Sequence, residues 1–172
     1  QILFLNIVTD VFPALALAAG EGSSGIMKQP PHNKHTPILT QQHLIYVSVY
    51  GAIITASVLG AMLISLKVLG LSEAQSVTVS FLTLAFAQLW HVFNMRSKRS
   101  SPFNNSITRN PFVWGALALC TVLLLLTLYL PSLASVLNVV HPGADGMALI
   151  IGMSLLPLLA GQLITALFRS KK

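Results

Sequence analysis

Residues 112–130 read FVWGALALCTVLLLLTLYL, a stretch with no charged side chain that lies between Pro111 and Pro131. A helix needs about 20 consecutive apolar residues to cross the hydrocarbon core of a bilayer. This stretch has that length, and it lacks the alternation of polar and apolar residues that a membrane β-strand shows. It therefore predicts a transmembrane helix.

Four more stretches of similar character lie on either side of it, at residues 2–19, 44–66, 77–95 and 147–168. Of the 172 residues, 54% are hydrophobic and only 8% are charged, whereas a soluble domain carries about 25% charged residues. The bilayer core offers no water to unsatisfied backbone groups, so these stretches should all be helices. The sequence predicts an all-α membrane protein, a bundle of about five transmembrane helices.

The basic residues indicate how the bundle is oriented. Nine of the 10 Lys and Arg residues lie in the connectors 20–43 and 96–110 or in the C-terminal tail, and only Lys67 lies in the other two connectors. The positive-inside rule then predicts that 20–43, 96–110 and the tail are cytoplasmic in a multi-pass membrane protein. The basic residues flank spans and form no single patch, so we expect the partner to be the lipid bilayer and not nucleic acid.

The N-terminus lacks the features of a signal peptide. Gln1 opens directly into an apolar stretch, with no basic segment before it and no cleavage pattern after it. We therefore expect the chain to be part of a longer protein.

Asp10 is the only acidic residue within a predicted span. A carboxylate at that depth costs on the order of 3 kcal/mol, so it should face the bundle and bind something. Asn6, Thr9 and Asp10 are spaced i, i+3 and i+4, which places them on one face of a helix. Pro13 has no N–H for the Thr9 carbonyl, so we expect the first helix to be broken near Pro13. Such a set of oxygens suits a hard cation.

Other interpretations of these polar residues stay open. A polar cluster inside a bundle can serve only to hold helices together, and a lone amide such as Gln88 or Gln162 often does so. About six to eight oxygens surround Ca²⁺, so other helices would have to complete the site. Four glycines within the spans favour close approach of helices: Gly51, Gly60, Gly152 and Gly161.

Residues 6–17 read NIVTDVFPALAL. They resemble the sixth transmembrane helix of P2-type cation-pumping ATPases, which carries the pattern N-L-V-T-D-x-x-P-A-x-A-L. In the same order, MKQPP at 27–31 resembles the loop that follows that helix, QLWHVFN at 88–94 resembles the eighth helix, and LLPLL at 155–159 resembles the tenth. The resemblance implies that residues 1–172 are the C-terminal transmembrane domain of such a pump, calcium-pump-like, with helices six to ten.

The resemblance also implies a ligand set. Asn6, Thr9 and Asp10 would coordinate the transported cation, and Gln88 stands where calcium pumps of the animal reticulum have a polar or acidic residue. Ca²⁺ is favoured, with Mn²⁺, Na⁺ or K⁺ as alternatives. ATP and Mg²⁺ would bind only in phosphorylation and nucleotide domains that these residues do not include, so the chain would not be catalytic alone. Its partners would be the remaining helices and the cytoplasmic domains of the parent pump.

A function of another class fits the same spans. The chain would then be a stand-alone membrane scaffold or a regulatory subunit, and its helices would only bind partner helices. Polar residues at membrane depth are compatible with both functions.

Overall fold

The computed structural model describes residues 1–19, 41–95 and 107–169. All regular structure in these ranges is helical. The connectors 20–40 and 96–106 and the tail 170–172 lie outside the described residues, and with them lie the MKQPP segment and most of the basic residues that predict the orientation.

The helices follow the predicted spans. The first span, Ile2–Ala18, consists of α1 (Ile2–Asn6), a π-helical turn (Ile7–Val11) and α2 (Phe12–Ala18). It is followed by α3 (Gln41–Lys67), α4 (Glu73–His91) with a 3₁₀ turn (Val92–Met95), α5 (Pro111–Tyr129), α6 (Pro131–Leu137) and α7 (Gly143–Arg169).

Among the described residues, four helices are long and apolar enough to cross a membrane: His43–Lys67, Glu73–Met95, Pro111–Tyr129 and Gly143–Ile164. The first span is a shorter apolar helix. The expectation of an all-α, multi-pass integral membrane protein is therefore confirmed.

The centre of the bundle is α4. In the most apolar 18-residue stretch of α4, 61% of the residues are buried, whereas 11% are buried in the corresponding stretch of α3. Its neighbours are α3 and α7, while the first span packs mainly on α5. Buried side chains such as Val79, Leu82 and Leu89 form the core, so Gln88 on the same helix is held at a fixed place inside the bundle.

The outward faces are apolar, as lipid contact requires. On α3, Val47 is 66% exposed, and Leu59 and Leu63 are each 55% exposed. Exposed apolar side chains along a 27-residue helix would be a liability in water, but they are the expected surface in hydrocarbon.

The predicted break in the first helix takes the form of the π-helical turn. The helical path continues from Ile2 to Ala18, and Pro13 follows directly after the turn, within the first residues of α2. Hydrogen bonds in a π-turn run from i to i+5 instead of i to i+4. Thr9 and Asp10 therefore lie within the irregular turn itself.

Two of the four glycines behave as predicted. A Cβ atom on Gly60 would lie 2.9 Å from Met153, and one on Gly161 would overlap Asn94 and Tyr50. The prediction is wrong for Gly51 and Gly152, because a Cβ atom there would meet none of the described atoms within 4 Å.

Candidate cation-binding site

Thr9 lies at the centre of a cluster of oxygen atoms. Its hydroxyl oxygen is 2.9 Å from the Leu5 carbonyl oxygen, 2.9 Å from Gln88 Oε1 and 3.2 Å from Asp10 Oδ1. The side chain is only 4% exposed. Three residues of the predicted ligand set, Thr9, Asp10 and Gln88, are thus brought together across two helices.

The hydroxyl of Thr9 cannot satisfy all of these neighbours. It carries one hydrogen and can donate to one acceptor at a time. The other contacts need a donor from the neighbouring group, as the Gln88 amide nitrogen would be with the amide turned over, or a bound cation. Oxygens that share a cation at about 2.3–2.6 Å lie about 3 Å apart, which is the spacing found around Thr9. The spacing around Thr9 therefore suits a hard cation as well as ordinary hydrogen bonds.

The polar cluster opens into a groove between the first span, α3 and α4. The groove has a volume of about 870 Å³. Thr9, Asp10 and Gln88 line it together with Tyr50 and His91, and its walls are otherwise largely apolar. Asp10 is exposed. The groove leaves open space beside its side chain, on the side away from the buried core.

Asn6 does not join the cluster in this structure. It is exposed, and it is not among the described residues that line the groove. The prediction that Asn6, Thr9 and Asp10 share a face assumes α-helical spacing. A π-helical turn takes more residues than an α-helical turn, so three residues cover less of a turn and Asn6 no longer shares a face with Thr9.

Two groups that contact the turn were not identified from the sequence. The Leu5 carbonyl accepts from Thr9 four residues later, a local bond that often accompanies a bend in a helix. The Cys120 thiol on α5 donates to the Val8 carbonyl at 3.0 Å. Neither has a sequence signal, because both depend on the turn and on which helix packs beside it.

A second polar cluster ties the 3₁₀ turn that follows α4 to α7. Gln162 Nε2 donates to Asn94 Oδ1 at 2.9 Å, and Asn94 Nδ2 lies 3.4 Å from the Pro157 carbonyl oxygen. The rings of Tyr50 and His91 lie 4.7 Å apart beside it. Gln162 thus holds two helices together, which is the simpler of its two interpretations.

Within the described residues no group of three or more His, Cys, Asp or Glu side chains could hold a metal ion. The candidate site is instead a set of one carboxylate, one amide, one hydroxyl and backbone carbonyl oxygens.

Comparison with known proteins places the chain in a family. The family model described as "Cation transporting ATPase, C-terminus" matches residues 1–167. A calcium-transporting ATPase of Bacillus subtilis is 33% identical over 167 residues, which cover 96% of this chain and 19% of the relative.

More distant relatives carry similar names. A calcium-transporting ATPase of Listeria monocytogenes is 31% identical over 72% of this chain and 14% of its own length. The mouse protein named calcium-transporting ATPase type 2C member 1 is 23% identical over the whole chain and 19% of its own length. The chain therefore spans about a fifth of the length of the curated relatives that it matches.

Proposed function

Since this chain belongs to the family of C-terminal regions of cation-transporting ATPases, we propose that it is the membrane half-bundle of an ATP-driven cation pump. In this proposal it supplies part of the intramembrane cation-binding site. The observation that carries the proposal is the cluster of oxygen atoms within 3.2 Å of the Thr9 hydroxyl.

The roles within the site follow from the chemistry of each group. Asp10 is the only charged ligand and supplies most of the electrostatic attraction for the cation. Thr9 and Gln88 replace water molecules of its hydration shell with a hydroxyl and an amide oxygen. The Leu5 carbonyl oxygen, 2.9 Å from the Thr9 hydroxyl, adds a further oxygen on the same helix. Asn6 joins the site when the first span rotates or when another helix packs on its exposed face.

The parent protein completes the site. Four groups fall short of the six to eight oxygens that surround Ca²⁺, and Asp10 is exposed in this chain. An exposed carboxylate at membrane depth is costly unless it is paired or covered. We infer that further helices of the parent cover Asp10 across the 870 Å³ groove and contribute the remaining ligands.

The transported ion is proposed to be Ca²⁺. Oxygen-only ligands with one carboxylate suit a hard cation, and the relatives quoted above are named calcium-transporting ATPases. Mn²⁺, Na⁺ and K⁺ are the competing ions. ATP and Mg²⁺ act in other domains of the parent, which couple phosphorylation to movement of these helices.

Cation-dependent phosphorylation of the full-length protein by ATP tests the proposal. Phosphorylation should require Ca²⁺ at lower concentrations than Mn²⁺, Na⁺ or K⁺, and Asp10→Asn should abolish the dependence. Asp145→Asn is the matched control, because Asp145 lies in the first turn of α7, at the end of a span. An Asp10→Asn protein with unchanged cation dependence would leave only a structural role for this cluster, as in the scaffold or subunit alternative.

A further inference from the structure

Helix α5 holds the first span at two buried backbone carbonyls. The Cys120 thiol donates to the Val8 carbonyl at 3.0 Å, and Asn110 Nδ2 donates to the Ala16 carbonyl at 3.0 Å. Cys120 is 0% exposed and Val8 is 1% exposed. These bonds join the helix that carries Thr9 and Asp10 to a helix that supplies none of the candidate ligands.

The Val8 carbonyl has a particular need for a donor. In the i to i+5 pattern of the π-helical turn, its backbone partner would be the nitrogen of Pro13, and proline has no N–H. A buried carbonyl without a donor costs about as much as a lost hydrogen bond. The thiol of Cys120 supplies that donor from the neighbouring helix.

The alternative for this segment is an α-helical turn. In that form the N–H of Phe12, four residues after Val8, would serve the Val8 carbonyl and the thiol would not be needed. The thiol therefore favours the π-helical form over the α-helical form of the same residues. The helical form of this turn affects the site, because Thr9 and Asp10 follow Val8 directly. Their side chains point in different directions in the π-helical and the α-helical form.

We propose that Cys120 is a positioning residue for cation binding. Its thiol stabilises the π-helical turn in the form that keeps the Thr9 hydroxyl 2.9 Å from Gln88 Oε1. Asn110 fixes the far end of the same span, since its side-chain oxygen accepts from Phe112 N at the start of α5 while its amide group holds Ala16. The inference rests on the proposed cation site and adds to it a residue that does not touch the ion.

The test compares three variants of the full-length protein in cation-dependent phosphorylation. Cys120→Ala should raise the half-saturating Ca²⁺ concentration about fivefold, the factor expected for one net hydrogen bond, while the maximum phosphorylation stays unchanged. Cys120→Ser keeps a donor and should restore most of the affinity. Thr127→Ala is the control, because it removes a fully buried hydroxyl of α5 that, in the described part of the chain, bonds within its own helix, to the Leu124 carbonyl.

A spectroscopic measurement tests the bond independently of transport. The infrared difference spectrum between wild type and Cys120→Ala isolates the S–H stretching band of this thiol. A band at the low frequency of a hydrogen-bonded thiol supports the proposal, and a band at the free-thiol frequency overturns it.

The functional outcomes separate this inference from the proposed function. If Cys120→Ala behaves like Thr127→Ala, or if Cys120→Ser fails to restore affinity, the positioning role is wrong even though Asp10→Asn still abolishes cation dependence. If Asp10→Asn retains its cation dependence, the proposed site itself fails. The infrared band still reports on the bond in that case.

Discussion

Gln88 extends the proposed cation site from the first span to a second helix, α4. Its amide oxygen lies 2.9 Å from the Thr9 hydroxyl oxygen. Gln88→Leu should raise the half-saturating cation concentration about tenfold, because one oxygen ligand is lost and Thr9 loses a partner. Gln88→Glu keeps an oxygen there and adds charge, so it should bind Ca²⁺ at least as tightly. Cation titration of phosphorylation measures both effects.

Gln162 offers a matched control for this prediction. It is also an amide within a span, but it is bonded to Asn94 and not to the candidate site. Gln162→Leu should lower thermal stability by about 1 kcal/mol and leave the cation affinity unchanged. Equal affinity losses in Gln88→Leu and Gln162→Leu would show that Gln88 acts through packing alone.

The candidate residues were predictable from the sequence because polar atoms are costly in a bilayer. A carboxylate at position 10 and an amide at position 88 stand out within apolar stretches. The exposure of Asn6 and the contact of Cys120 with Val8 were not predictable, since they depend on the π-helical turn and on the packing of α5 beside it. A cysteine within an apolar span has the same sequence pattern whether it fills space or donates a hydrogen bond.

At the scale of elements, the π-helical turn next to Pro13 determines where Thr9 points. Pro13→Ala would return an N–H to the carbonyls of the preceding turn and favour a regular α-helix. We expect this variant to unfold at a higher temperature and to bind the cation more weakly, because Thr9 turns away from Gln88. Thermal unfolding and cation titration on the same preparation separate the two effects.

Pro157 provides the control for that substitution. It lies inside α7, and its carbonyl oxygen is 3.4 Å from Asn94 Nδ2. Pro157→Ala should alter stability without a change in cation affinity. A Pro13→Ala protein that binds the cation as tightly as wild type would contradict the role given to the turn.

The lengths of the apolar stretches predict where the helices lie, but they do not predict the residues at which the helices begin and end. The sequence places the start of the third span at residue 77, whereas α4 begins at Glu73 because Ser72 and Gln75 form a capping box. The short helix α6 lies in a stretch that the sequence predicts to be a connector. It begins at Pro131, a favoured first residue of a helix, and ends at Leu137, because Asn138 follows with a φ of 51°.

At the scale of the whole molecule, the charge distribution predicts which connectors face the cytoplasm. A cysteine introduced by Ser101→Cys should react with a membrane-impermeant thiol reagent only from the cytoplasmic side, and one introduced by Ala144→Cys only from the opposite side. Cys120 is 0% exposed, so it adds little background labelling. Labelling of both positions from one side would contradict the predicted orientation.

The bundle packs one side of the proposed site and leaves its other side open. Helix α4 is buried against α3 and α7, while the first span exposes Asp10 beside an apolar groove. Our proposal assigns the cover of this carboxylate to further helices of a parent protein, and the chain spans about a fifth of the length of its relatives. Further helices would have to pack against this open side before the cation is fully enclosed.

Equilibrium binding of Ca²⁺ to the full-length protein without ATP tests the central claim most directly. Wild type and Asp145→Asn should bind Ca²⁺ equally, while Asp10→Asn should lose the site formed with Thr9 and Gln88. Its binding stoichiometry should fall by one ion. Unchanged stoichiometry and affinity in Asp10→Asn would contradict the assignment of a cation site to this cluster.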